Sequence, residues 1–243
     1  MSQFIAVTSG KGGVGKSTVS VGLAFALCRK GKRVLLVDMD EGLRCLDLLL
    51  GVDRTAVFDL ADILRGKELE EAVYPVPGQN TLFLIPAPDR VGMIDPFNFA
   101  NFVKSVDGQY DTVLFDFPAG LDFTLYTCLP QDALFLTVAT ADPVSVRDAA
   151  AVSARLDELG LSSRLLLNRF RFRLSKKGVF HNIDQVIDGA GLQLIGIIPE
   201  SEELGFLSVQ HTLKPHGKSL AAFLRTASRL CGEPVLLPNP KKI

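Results

Sequence analysis

The chain has 243 residues, a formal net charge of -1, 47% hydrophobic and 22% charged residues, and no Trp. So apolar and so nearly neutral a composition excludes disorder as the main state and argues against a surface that binds nucleic acid throughout. No run approaches the roughly 18 consecutive apolar residues of a spanning helix, and the N-terminus lacks the basic region of a signal peptide. The four cysteines, Cys28, Cys45, Cys128 and Cys231, are far apart and form no CxxC pair. They read as reduced thiols of a cytoplasmic protein.

In chain order, a short strand is expected at Phe4-Ile5-Ala6-Val7, then a helix over Val19 to Cys28 that stops near Gly31. Further strands are expected at Val34–Val37, Leu82–Ile85, Thr112–Phe115, Ala133–Val138, Leu165–Leu167 and Leu194–Ile198. These runs are continuously apolar rather than alternating, the pattern of strands covered on both faces in a parallel sheet. Helices are expected between them at 45–50, 57–64, 96–105, 143–159, 182–190, 202–209 and 217–231. Pro75-Val76-Pro77-Gly78 reads as a turn. The expectation is an α/β, three-layer fold of seven or eight mostly parallel strands. Residues 1–231 would make a single domain, followed by a Pro-rich tail over 232–243.

Gly10-Lys11-Gly12-Gly13-Val14-Gly15-Lys16-Ser17 fits the phosphate-loop pattern G-x-x-x-x-G-K-[ST], and it follows a strand and opens a helix, as that loop must. The glycines let backbone N–H groups turn toward phosphate oxygens, and the helix beginning at Lys16 adds its positive end. Lys16 would meet the β- and γ-phosphates, Ser17 would ligate Mg²⁺, and Thr18 would reach a neighbouring phosphate. In a parallel sheet the rest of the site belongs at the carboxyl ends of neighbouring strands. Asp38 and Asp40 end one strand and Asp116 ends another, placing carboxylates where a Mg²⁺–phosphate site needs them.

The run Lys11-Gly-Gly-Val-Gly-Lys-Ser-Thr18, with its additional Lys11, resembles the deviant Walker A loop of the ParA/MinD ATPases. Val37-Asp-Met-Asp-Glu-Gly-Leu-Arg-Cys-Leu-Asp47 resembles switch I of that family, and Asp116-Phe-Pro-Ala-Gly120 its switch II. Pro143–Asp148, Leu166-Leu-Asn-Arg169 and Gly196-Ile-Ile-Pro-Glu200 extend the likeness, which runs from about residue 3 to about residue 230 and favours the MinD branch over plasmid ParA. The resemblance implies an ATP hydrolase with ATP and Mg²⁺ as its ligands. It implies a homodimer in the ATP state, in which Lys11 crosses to the partner's phosphates. It implies that Asp40 positions the attacking water and that Asp116 and Asp38 stand in the second shell of the metal. Asn168, Arg169, Pro199 and Glu200 would enclose the adenine. By the same resemblance the partners are a MinC-like septum inhibitor and a topology factor, at the inner face of the membrane.

Two departures stand out. Cys45 replaces the Asn usual in switch I of this branch, and a thiol is a weak hydrogen-bonding group. The amphipathic membrane helix usual after the last folded helix is not apparent in residues 232–243. The helix at 217–231 reads as the last packed helix of the domain. Other readings stay open: a ParA-type or flagellar-number-type positioning ATPase acting on nucleoid DNA or a polar cargo, and a module that holds ATP with little turnover. For the first, the basic run Arg169–Lys177 would be the DNA contact; the nearer reading of that run is a solvated loop. A metallocluster carrier is disfavoured, because Asp116–Gly120 has no cysteine.

Overall fold

Eight strands form one sheet in the order β3-β4-β2-β5-β1-β6-β7-β8. The strands are β1 (Gln3–Thr8), β2 (Val34–Asp38), β3 (Tyr74–Pro75), β4 (Leu82–Ile85), β5 (Thr112–Asp116), β6 (Leu134–Ala139), β7 (Ser162–Phe170) and β8 (Leu194–Pro199). The computed structural model describes residues 1–171, 182–202, 204 and 214–238. All pairings are parallel except that of β3 with β4.

The continuous apolar runs resolve into two alternating faces. Ile5, Val7, Leu36, Leu114 and Leu136 point into one core layer, and Phe4, Ala6, Leu35, Val113, Phe115 and Phe135 point into the other. The first layer is closed by α1 (Lys16–Arg29), α2 (Leu46–Leu50) and the final described helix, α8 (Gly217–Leu230). The second is closed by α3 (Leu60–Leu64), α5 (Pro96–Val106) and α6 (Pro143–Glu158); α7 (Ile183–Ala190) continues it beyond β7. With both faces covered, period-2 alternation of polarity has no reason to appear in the sequence.

Helix α8 packs as a core helix. Phe223 is fully buried and lies so close to Gly22 of α1 that a Cβ there would stand 2.3 Å from the ring. Arg229 then fastens the chain that follows, donating to the carbonyls of Val235, Leu236 and Ile195. Among the described residues no helix is long and apolar enough to cross a membrane.

Some boundaries differ from expectation. The helix expected over 57–64 starts only at Leu60, because Asp59 caps it reciprocally with Asp62 and the N–H groups of Val57 and Phe58 turn instead to the Tyr74 hydroxyl. The stretch read as a turn at Pro75 begins as the two-residue edge strand β3, where a proline is tolerated because it owes no outward N–H bond. A short α4 (Leu69–Ala72) was not expected. The helix expected over 202–209 falls largely outside the described residues, as do positions 172–177 of the basic run. Of that run, Phe170 is buried while Arg169 and Arg171 are exposed.

Candidate nucleotide site

The order β2-β5-β1-β6 places the carboxyl ends of four central strands around the start of α1. Asp38 and Asp116 are register partners at the last pair of β2 and β5, and Asp116 is also aligned with Val7 of β1. Two carboxylates far apart in sequence are thereby side by side, both fully buried. Lys16, in the first turn of α1, reaches Asp116 with its Nζ 3.1 Å from Oδ1. Ser20, one turn further along the same helix face, donates to the same oxygen at 2.7 Å. The other oxygen, Oδ2, is buried and has no hydrogen-bond partner among the described residues.

The loop before α1 is shaped by close approaches. Gly15 has φ 88 and caps α1; a Cβ there would lie 2.5 Å from Asn168 Nδ2, so both the backbone and the packing require glycine. Gly10 passes so near α6 that a Cβ would lie 2.5 Å from the Asp148 carbonyl oxygen. A Cβ on Gly12, by contrast, would meet nothing within 4 Å among the described residues. The loop is pinned from behind at positions 10 and 15 and open in front at 12, as a cradle for a ligand would be. Asn168 donates to the Val14 carbonyl at 2.8 Å, tying the loop to β7. The Asn168 amide expected to read adenine therefore has its NH₂ engaged by the loop.

Asp38 serves switch I directly. Its carboxylate accepts from the backbone N–H groups of Asp40 (3.0 Å), Cys45 (3.3 Å) and Leu46 (3.1 Å). Burial, reinforced by the charge of Asp116, still pushes its pKa up to about 7. Asp40, half-buried, is raised above the ordinary carboxylate range by burial, with Lys16 opposing that rise and Asp116 adding to it. Cys45 has its thiol hydrogen-bonded with the Ser17 side chain. Burial first, and then the charge of Asp38, push its pKa up to about 12, so it stays a neutral thiol.

Lys11 extends from the loop toward Asp142, 3.6 Å away. Asp142 also caps α6 and accepts from Thr140 Oγ1. The segment after β5 returns to the loop through Gly120 N–H to the Ser9 carbonyl at 2.9 Å. Beside Gly15 and Thr18, a cleft of about 90 Å³ is lined by Asn168, Arg169, Pro199, Glu200, Ser201 and Leu204. Arg169 has φ 52 at its rim, and Glu200 faces Arg171 at 3.8 Å. The structure thus gathers Lys16, Asp38, Asp40 and Asp116 at the start of α1, with Ser17 on the next position of that helix, and places Asn168, Arg169, Pro199 and Glu200 around the cleft beside Gly15 and Thr18. A larger groove of about 580 Å³ lies at the opposite, amino-terminal ends of the central strands, around Gln3, Arg33 and Tyr110, and is lined by no residue of the phosphate loop pattern.

Hard oxygen donors at the loop suit Mg²⁺: the Ser17 hydroxyl and the unmatched Asp116 Oδ2, in a pocket with two buried carboxylates and one ammonium. Among the described residues no group of three or more His, Cys, Asp or Glu side chains could hold a metal alone.

Sequence reasoning missed Ser20, although its i+4 spacing from Lys16 was a usable signal. It also missed Tyr126, whose hydroxyl lies 2.6 Å from Thr8 Oγ1 beneath the loop. That pairing spans 118 positions and leaves no local trace.

Comparison with known proteins identifies the family. Residues 5–213 match the CobQ/CobB/MinD/ParA nucleotide binding domain. The septum site-determining protein MinD of Thermotoga maritima is 32% identical over 98% of this chain and 92% of its own. The MinC:MinD cell division protein complex of Aquifex aeolicus superposes with a TM-score of 0.88 at 31% identity, covering 98% of this chain and 99% of that one. MinD complexed with Mg-ADP from Pyrococcus horikoshii gives 0.81 at 28% identity, covering 95% and 96%. The chain belongs to the CobQ/CobB/MinD/ParA nucleotide-binding family, in its MinD branch.

Proposed function

We propose that the chain is a slow, Mg²⁺-dependent ATPase switch. It dimerises on ATP and in that state recruits a MinC-like inhibitor of septation to the inner face of the cell membrane, with a topology factor stimulating turnover. The observation that carries this reading is the buried Lys16–Asp116 pair at the open front of the phosphate loop, with Asp116 Oδ2 left unmatched. Leaving a buried carboxylate oxygen unpaired is unfavourable, and such groups persist where a ligand completes them.

In this reading Lys16 exchanges Asp116 for the β- and γ-phosphates. Ser17 ligates Mg²⁺, while Asp116 and Asp38 stand behind it. When bound there, Mg²⁺ would supply charge neutralisation of the phosphates. Asp40 orients the attacking water; its raised pKa reflects a partly dry position near Lys16. Asn168, Arg169, Pro199 and Glu200 hold the base. Lys11 leaves Asp142 for the nucleotide of the second subunit, where its charge is worth most in a water-excluded interface. Exposed apolar side chains support such an interface. Leu43, Val91, Phe97, Leu121 and Val144 all lie in segments that follow the carboxyl ends of strands, around the site.

Three measurements on the whole chain test the reading. Lys16→Ala is expected to abolish Mg²⁺-dependent ATP hydrolysis. Light scattering of Asp40→Ala is expected to show the monomer mass without ATP and twice that with it. Anionic liposomes are expected to co-sediment with the ATP form. Wild-type hydrolysis by Lys16→Ala would remove the enzymatic reading, an unchanged mass the dimer, and absence from the liposome pellet the membrane step.

A further inference from the structure

Switch I is fastened at a point that none of the roles above uses. The Glu41 carboxylate accepts from three consecutive backbone N–H groups in the loop after β4: Gly92 at 3.0 Å, Met93 at 2.7 Å and Ile94 at 2.8 Å. Successive N–H groups converging on one carboxylate form an anion nest, and bonds to a charged acceptor are the stronger kind. Around this clasp, Gly42 donates to the Pro88 carbonyl at 2.9 Å, and Arg44 approaches Asp89 at 3.4 Å. The clasp spans more than fifty residues, so it joins two separate loops at the carboxyl edge of the sheet.

The residue that precedes Glu41 is Asp40. Its backbone N–H is held on the sheet side by Asp38 Oδ1 at 3.0 Å. Its carbonyl closes a tight turn with the Leu43 N–H at 3.2 Å. Asp38 therefore fixes Asp40 from the sheet side, and Glu41 fixes the next residue from the outer side. Between these two anchors the Asp40 side chain has a set distance from Lys16 and Asp116, which are close enough to move its pKa in opposite directions.

We infer that Glu41 is a positioning residue for ATP hydrolysis: its clasp on the Gly92–Ile94 backbone holds Asp40 where the attacking water must be oriented. This rests on the reading that Asp40 orients that water. The bonds Glu41 makes among the described residues go to the loop after β4 and to Met39, so its contribution falls on the chemical step and not on nucleotide binding. A glutamine cannot replace it. A carboxamide has one acceptor oxygen, and its NH₂ would meet N–H donors where the carboxylate now accepts.

The test is a double-mutant cycle on the whole chain, with Asp40→Asn, Glu41→Gln and both together. Single-turnover hydrolysis of ATP with Mg²⁺ is read beside the Kd for a fluorescent ADP analogue. Glu41→Gln is expected to slow single turnover by about 10- to 100-fold, the usual effect of small misplacement of a reacting group, with Kd unchanged within about twofold. Added to Asp40→Asn it is expected to cause no further loss, because residues acting as one unit are not additive. A wild-type rate for Glu41→Gln, or a full multiplicative loss in the double variant, overturns the role of Glu41 while leaving Asp40 intact. A wild-type rate for Asp40→Asn overturns the reading on which the inference stands. Glu41→Asp keeps the charge but withdraws it by one methylene. It runs through the same cycle, with the same outcomes required, should Glu41→Gln fail to fold.

Discussion

Replacing Lys16 by Met should expose how much of the fold's stability is set against its site. The side chain is 8% exposed and its Nζ lies 3.1 Å from Asp116 Oδ1, in a pocket where Asp38 and Asp116 are side by side and wholly buried. Methionine fills similar volume, so the loss is electrostatic. Removing one partner of a buried ion pair typically destabilises by about 3–5 kcal/mol, because the other charge stays buried without compensation. For a chain of this size that is on the order of 10 °C in Tm. The loss should depend on pH, and its sign follows from Asp38. Its folded pKa of about 7 lies above the ordinary value of 3.8. A carboxyl raised in this way binds its proton more tightly in the native state. Its contribution to stability is therefore largest below the unfolded value and declines as pH rises through the folded one. In Lys16→Met, protonation of Asp38 can relieve the repulsion only at the acidic side of that window. Urea unfolding of nucleotide-free protein should therefore show the full deficit near pH 8.5 and less than about half of it near pH 5.5. Adding Asp116→Asn should recover most of the deficit near pH 8.5. A deficit below about 1 kcal/mol near pH 8.5, or one of equal size at both pH values, would refute the reasoning.

Three further outcomes follow from contacts elsewhere. Gly22→Ala drives a Cβ into the buried Phe223 ring and should destabilise the α1–α8 contact by about 1–3 kcal/mol, seen as a Tm lower by several degrees at full ATPase activity per folded molecule; an unchanged Tm would mean that the helices can separate freely. Asn168→Ala removes the 2.8 Å bond that ties Val14 to β7 and should weaken nucleotide binding about tenfold by calorimetry, the equivalent of one buried hydrogen bond; equal affinity would show that the tether is not needed. Tyr126→Phe leaves the buried Thr8 hydroxyl without its 2.6 Å partner and should cost about 1–2 kcal/mol in denaturant unfolding; a loss of a few tenths or less would mean the hydroxyl finds another acceptor.

The parts legible in the sequence are those whose cause is local. The phosphate loop announces itself because glycine spacing, lysine and helix start lie within eight residues. The central strands announce themselves because burial on both faces makes an unbroken apolar run. Boundaries failed where a distant group intervened. Residues 57–59 looked helical, yet the Tyr74 hydroxyl takes the N–H groups of Val57 and Phe58 and Asp59 becomes the cap. Asp38 is legible as a strand-end carboxylate, but the sequence holds no sign that its oxygens accept from the backbone of Asp40, Cys45 and Leu46. That arrangement needs the chain to turn back over Cys45 and Leu46, which only the docking of α2 provides.

The same distinction explains why the site is built at a seam between strands. Asp116 and Asp38 become neighbours because β5 lies between β1 and β2, so the strand order, not any single motif, sets the charge density of the pocket. One buried ammonium facing two buried carboxylates leaves an excess of negative charge, and the charge of Asp116 adds to the burial that raises the pKa of Asp38. A protein selected only for stability would have replaced one of these carboxylates with an apolar side chain, since such exchanges are commonly neutral or stabilising. Retention of both fits a pocket whose charge is completed by a bound cation. Between its buried ends, switch I is secured by backbone N–H groups donating to the Asp38 carboxylate and by the Glu41 carboxylate accepting from Gly92, Met93 and Ile94. Leu43 stands 73% exposed at its tip, and a segment held by polar clasps can be released and re-formed as the charge beneath it changes.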